Sequence, residues 1–189
     1  NEIDVTFVAS HFHDVVISKE GHAEGQHLLL DINYNGSHLD VDQEKLFRAC
    51  SIPMPIDQKR NMMNASSNYN IISSLIKAIK YNTKVKVHSP GVNGEIGGYP
   101  VIIDGSTVVP TAYYDTTFSI DEMRNTNRKS IYCDGIENIE NGCLIYTDEL
   151  VDKVKSVFHC NLPKKVCFDE IDTVAEFLIK NIIEKRLNS

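Results

Sequence analysis

The chain contains no tryptophan, no run of apolar residues longer than a few positions such as Leu28-Leu29-Leu30, and no excess of basic charge. A membrane-crossing helix needs about 20 consecutive apolar residues, so none is encoded and no membrane partner is expected. With 19 Lys+Arg against 26 Asp+Glu, the formal charge of −7 excludes a sequence-independent nucleic-acid binder, which needs a basic footprint. Lys84, Lys86 and the Lys164-Lys165 pair are too isolated on that background to form a patch.

Several chemical signatures are also missing. The five cysteines (Cys50, Cys133, Cys143, Cys160 and Cys167) never form C-x-x-C, so zinc-ribbon spacing is absent. Their odd number leaves at least one thiol outside any disulfide framework. The expectation is reduced, buried structural thiols in a cytoplasmic protein. No G-x-S-x-G elbow supports a serine nucleophile, and no cysteine sits in a recognisable activating setting. The acidic residues Asp134, Glu137 and Glu140 match no calcium loop and read as a solvated turn. No motif encodes a cofactor site, so the cofactor is left unknown and no metal ligand set is assigned.

What is present is an ordinary globular composition, 42% apolar and 24% charged over 189 residues. A chain of this length buries roughly 70% of its unfolded surface and needs no staple to fold. It starts at Asn1 without an initiator Met. The expectation is a processed or partial chain, one version being the substrate-binding and dimerisation part of a longer oxidoreductase-like protein. The opening NEIDVTFVAS lacks the basic and apolar regions of a signal peptide.

Local patterns predict α+β architecture in a single domain spanning residues 1–189. The sheet is mixed or mainly antiparallel, built from hairpins and covered by helices on one face. Strands are expected over 3–9, 14–19 and 27–34. Asn35-Gly36 tolerates positive φ at both positions, which predicts a hairpin of 28–34 with 37–41. Asp42 caps a short helix that stops before Pro53 and Pro55. A second helix is expected from Ser66 or Ser67 to Tyr81, followed by an alternating strand over 83–88. A further hairpin is predicted across Asp104-Gly105. Ser119 and Glu122 fit a capping box opening a helix to about Lys129. A strand over 143–147, a helix opened by Thr147 and ending near Phe158, and a final helix capped by Asp169 complete the reading.

Three places carry candidate chemistry. The loop from Ser89 to Pro100 holds four of the ten glycines, Gly91, Gly94, Gly97 and Gly98, together with Asn93 and Tyr99. Glycines let a backbone approach a ligand closely. The spacing matches neither G-x-G-x-x-G nor a Walker motif, so the loop is read as part of a small-molecule site, as a subunit contact, or as a plain connection. His88 immediately precedes it and could transfer protons at a cleft, with Tyr99 orienting a polar or carboxylate substrate. His11 and His13 lie two apart, so in an extended segment both face one side. They could serve as acid/base groups or as a two-histidine metal pair that lacks a third ligand, or be surface histidines. Ser66, Ser67 and Asn68 at an expected helix start could hold an anion or simply cap the helix. The leading expectation is a cytoplasmic small-molecule enzyme domain using His88, His11 and His13. The alternative is a non-catalytic ligand-binding module or homo-oligomeric assembly module.

Overall fold

The computed structural model describes residues 2–10, 27–50, 56–105, 110–111 and 117–184. The chain forms two compact units, Asn1–Ser130 and Ile131–Ser189. Among the described residues all strand pairings are antiparallel, which matches the α+β class with a mainly antiparallel sheet.

In the first unit the sheet is assembled from β1 (Ile3–Ala9), β2 (Leu28–Tyr34), β3 (Ser37–His38), β4 (Lys84–Pro90), β5 (Gly98–Asp104) and β6 (Pro110–Thr111), in the order β3-β2-β1-β5-β4 with β6 beside β5. The Asn35-Gly36 turn closes β2 on β3 as expected, with φ of 49° and 79°. The strand after it is shorter than predicted. β4 and β5 pair from Lys84↔Asp104 to Pro90↔Gly98, so the Gly-rich loop is a hairpin connection whose ends are drawn into the sheet. β1 meets β5 only at Ala9↔Gly98, and β6 takes the same edge from Ile102 onward. Pro100 has no N–H to donate, which fits the gap between those two contacts.

Helices flank both faces of this sheet, not one. The long α2 (Ile56–Tyr81), which follows α1 (Gln43–Cys50), runs beside β4 and β5. α3 (Ile120–Cys133) covers the opposite face, where Val8, Val92, Tyr99, Val101 and Met123 form the core. The chain reaches this two-faced arrangement because β5 is apolar at successive positions: Tyr99, Val101 and Ile103 turn to α3, while Gly98 and Pro100 are buried on the other side. α1 is capped by Asp42, whose carboxylate accepts from the Lys45 N–H at 3.2 Å. α3 opens on the predicted box, in which the Glu122 N–H donates to Ser119 Oγ at 3.2 Å and the Ser119 N–H donates to Glu122 Oε2 at 2.8 Å.

The second unit contains β7 (Ile136–Glu140), β8 (Cys143–Tyr146) and β9 (Lys165–Cys167) as a three-stranded sheet. α4 (Asp148–Phe158) starts at Thr147, whose hydroxyl accepts from the Leu150 N–H at 3.3 Å. α5 (Ile171–Leu178) continues into a π-helical turn at Ile179–Ile183. Asp169 does not cap it, because a 3₁₀ turn already runs over Phe168–Glu170. Cys167 caps that 3₁₀ turn, its N–H donating to Glu170 Oε2 at 3.0 Å, and Glu170 is the N-cap of α5.

Cys143 and Cys167 face each other across β8 and β9 and are joined in a disulfide. The expectation of reduced thiols throughout therefore fails at this pair. Cys133 and Cys160 are free. No helix among the described residues is long and apolar enough to cross a membrane.

Candidate functional site

A groove opens between α2 and the sheet face that carries Phe7, His88 and Gly98. β4 alternates, with Lys86 and His88 on this exposed side and Val85 and Val87 on the side of the core. α2 contributes Met63, Asn64, Ser67, Asn68 and Ile71. The hollow measures about 600 Å³. It adjoins a second of about 440 Å³ that shares Ser67, Ile71 and His88 and extends to Asn70, Ser74 and Lys86. Helix residues facing a sheet are ordinarily apolar, and here the amides and hydroxyls at inward positions leave the interface unfilled.

His88 is the centre of this arrangement. Its ring lies 5.6 Å from that of Phe7, tilted at 47°. It also lies over Gly98, where any Cβ would collide with the imidazole and with the Ala9 carbonyl. The ring keeps a face open to solvent, but the protein packed around it disfavours the charged form, and its pKa falls below 6.5. Near neutral pH His88 is an uncharged imidazole, able to donate one hydrogen bond and accept another. Lys86, on the same strand face, lies 3.3 Å from Asp4.

The sequence-predicted residues divide. His88, Ser67, Asn68 and Gly98 come together on the groove. Tyr99 does not join them: it is 1% exposed and points to the opposite face, because neighbouring residues of a strand alternate. Gly91, Asn93, Gly94 and Gly97 lie in the hairpin connection, which folds inward on Val92. Ser66, Ser67 and Asn68 are not at a helix start. α2 begins ten residues before Ser66, at Ile56, so these positions have no free amides and the helix-terminus anion reading is overturned. Ser67 and Asn68 reach the groove by their side chains, whereas Ser66 is exposed and outside its lining. His11 and His13 lie outside the described residues.

Beneath the loop lies a polar network that the sequence did not single out. Asn127, fully buried on α3, donates to the Gly98 carbonyl at 3.1 Å and accepts from Ser10 Oγ at 2.9 Å. Arg124 Nε donates to Glu95 Oε1 at 2.8 Å, and Nη2 reaches the same oxygen. The hydrogen bond from Arg124 holds the Glu95 carboxyl below its ordinary range, against the opposing effect of burial. Burial pushes the Tyr99 phenol up, so it stays protonated and serves as a hydrogen-bonding strut. The spacing of Met123, Asn127 and Ser130 on the buried side of α3 was the available clue, since only a helical stripe aimed at a core repeats in that way.

Among the described residues, the one cluster with metal-ligating spacing is Cys167, Asp169 and Glu170. The Cys167 sulfur is committed to its disulfide and supplies no thiolate. Among the described residues, the groove lining has no carboxylate to orient His88 and no nucleophilic thiol. No known protein family, curated protein or solved structure matches the chain.

Proposed function

We propose that the first unit binds a small polar molecule in the groove between α2 and the sheet, with His88 as the group that hydrogen-bonds it or exchanges its proton. The supporting observation is the convergence of His88 with Ser67, Asn68 and Gly98 on one hollow of about 600 Å³, a size within the usual range for small-molecule pockets. The lining restricts the ligand's charge. Among the described lining residues the titratable groups are His88 and Lys86, the latter paired with Asp4 at 3.3 Å. An uncharged or anionic molecule suits that surface, and a cation does not.

Catalysis and simple binding share this site. As an enzyme, the protein would use the neutral imidazole of His88 as general base. Among the described lining residues none is an acid that would orient the imidazole, which favours binding without turnover. The Cys143–Cys167 bond weighs against the cytoplasmic expectation, since disulfides persist mainly in oxidising compartments.

Ligand-observed NMR against a panel of small carboxylates, phosphates, sugars and amines tests the proposal. Hits among the first three classes that disappear in His88→Ala support it. A panel dominated by amines, or hits indifferent to His88→Ala, would overturn it.

A further inference from the structure

α2 carries apolar side chains on two faces. Ile71, Leu75 and Ala78 lie on the sheet side and are partly or fully buried. A second row, Met62, Ala65, Tyr69, Ile72, Ile76 and Ile79, recurs at alternating spacings of three and four. This is the a/d repeat of helices that pair with other helices. Its large members remain open to solvent: Met62 is 41% exposed, Tyr69 72%, Ile72 57%, Ile76 58% and Ile79 54%.

The flanks of the row are as unusual as the row itself. No Asp, Glu, Lys or Arg occurs from Asn61 to Ile76, although 24% of the chain is charged. The positions beside the seam are Asn61, Ser66, Asn68, Ser73 and Leu75, with one charge, Lys80, at the C-terminal end beside Ile79. An ordinary exposed helix face is charged, and a membrane-surface helix is basic on its polar side. This face is neither.

We infer that the exposed row on α2 is a homodimer interface, pairing with the α2 of a second copy. A 3.5-residue apolar repeat is self-complementary across a two-fold axis, where the same patch serves on both subunits. The absence of charge matters because each copy carries −7 overall, and an acidic or basic seam would bring like charges into contact. Five large, half-open apolar side chains and their neighbours offer on the order of 500 Å² per copy. Pairing then buries roughly 1,000 Å² in total, the lower bound for a specific interface. Antiparallel pairing also keeps the Lys77 and Lys80 ends of the two helices apart. An interface at this lower bound is that of a weak or transient dimer, so the range to search is micromolar, centred on the order of 10 µM.

Sedimentation velocity of the full chain from about 1 to 200 µM reads this directly, since that range brackets the expected constant. The sedimentation coefficient should rise with concentration toward the dimer value. The double variant Ile72→Glu/Ile76→Glu should remain monomeric with its helical circular dichroism intact. The milder Ile72→Ala/Ile76→Ala, which favours helix, should weaken dimerisation at least about tenfold. A wild-type chain that stays monomeric throughout overturns the inference. So does a dimer that survives both double variants, because it would lie on another surface. Loss of helix in the alanine variant, with a monomeric wild type, would mean that the row is covered by the chain's own residues.

Discussion

The imidazole of His88 occupies the space that a Cβ on Gly98 would fill. The two residues are diagonal neighbours, since His88 pairs with Pro100 and Pro90 with Gly98. Gly98 thus has a steric reason to be glycine, set jointly by the histidine at the groove and by the Ala9 carbonyl. Gly98→Ala should force the ring outward toward α2, cost about 1–3 kcal/mol as an overpacked contact, and narrow the groove. Urea unfolding and the ring ¹H–¹³C shifts of His88 are the measurements. Unchanged stability together with an unmoved ring resonance would sink the relationship.

The depressed pKa of His88 gives stability a defined pH dependence. Below about 6.5 the unfolded state takes up a proton on this side chain before the folded state does. Stability therefore rises with pH across the window between the folded and unfolded values, is fully present above 6.5, and falls on acidification. Thermal melts of wild type and His88→Gln from pH 8 to pH 5 isolate this contribution. The wild type should lose more melting temperature than the variant below pH 6.5, and parallel profiles would show that burial does not disfavour the imidazolium.

How much of this was readable beforehand follows from the range over which each signal acts. Asn35-Gly36, the Ser119–Glu122 box and Thr147 were legible because the atoms that fix them lie within a few residues of one another. The start of α2 was not, because Pro53 and Pro55 suggested a longer break and the polar run Asn64–Asn68 resembled a cap. His88 was legible as the neighbour of the loop that holds Gly98, but their contact was not, since it depends on register across β4 and β5. That Tyr99 faces away from the groove was not legible for the same reason: its side follows from alternation counted from Gly98, which requires knowing that the strand begins there. The Cys143–Cys167 pairing depends on the alignment of β8 with β9, which spacing alone does not give.

Asn127 fixes the base of the loop from the side opposite the groove. It is fully buried, and its side chain serves both the Gly98 carbonyl and the Ser10 hydroxyl. Asn127→Ala leaves those groups without that partner and should cost about 2–3 kcal/mol. Because the lost bond lies directly beneath Gly98, the groove should be affected as well as the fold. A chemical denaturation midpoint lowered by that amount, accompanied by a shifted His88 ring resonance, is the expected pair of results. A loss below about 0.5 kcal/mol, the level of an ordinary surface change, would show that the network does not support the loop.

Arg124 and Glu95 form the outer part of the same network, and their test is one of charge. Glu95 titrates below its ordinary value, so the ion pair stabilises the fold above pH 4.5 and its contribution disappears as pH falls through the folded value. Arg124 is 39% exposed, so solvent screening limits the effect to about 1 kcal/mol. Arg124→Met should remove that increment at pH 7 and make no difference at pH 2.5. An equal penalty at both pH values would assign the role of Arg124 to packing of its stem instead.

The disulfide acts on the second unit through the chain it closes. Cys143 and Cys167 are 24 residues apart, and the segment between them contains α4 and the entry to β9. Closing a loop of that size restricts the unfolded chain by an amount worth about 3.5 kcal/mol in the chain-entropy account. Within the sheet, β8 is held to β9 by a pairing only three residues long, so little hydrogen bonding remains to align them once the covalent link is gone. Cys143→Ser/Cys167→Ser should therefore increase exchange of the Leu144–Tyr146 amides far more than that of the Val85–Val87 amides in the first unit. Reduction with dithiothreitol should reproduce the pattern in the wild type and leave the double variant unchanged. Equal exchange in wild type and variant would mean that the sheet of the second unit is held by its packing, with the disulfide adding nothing to it.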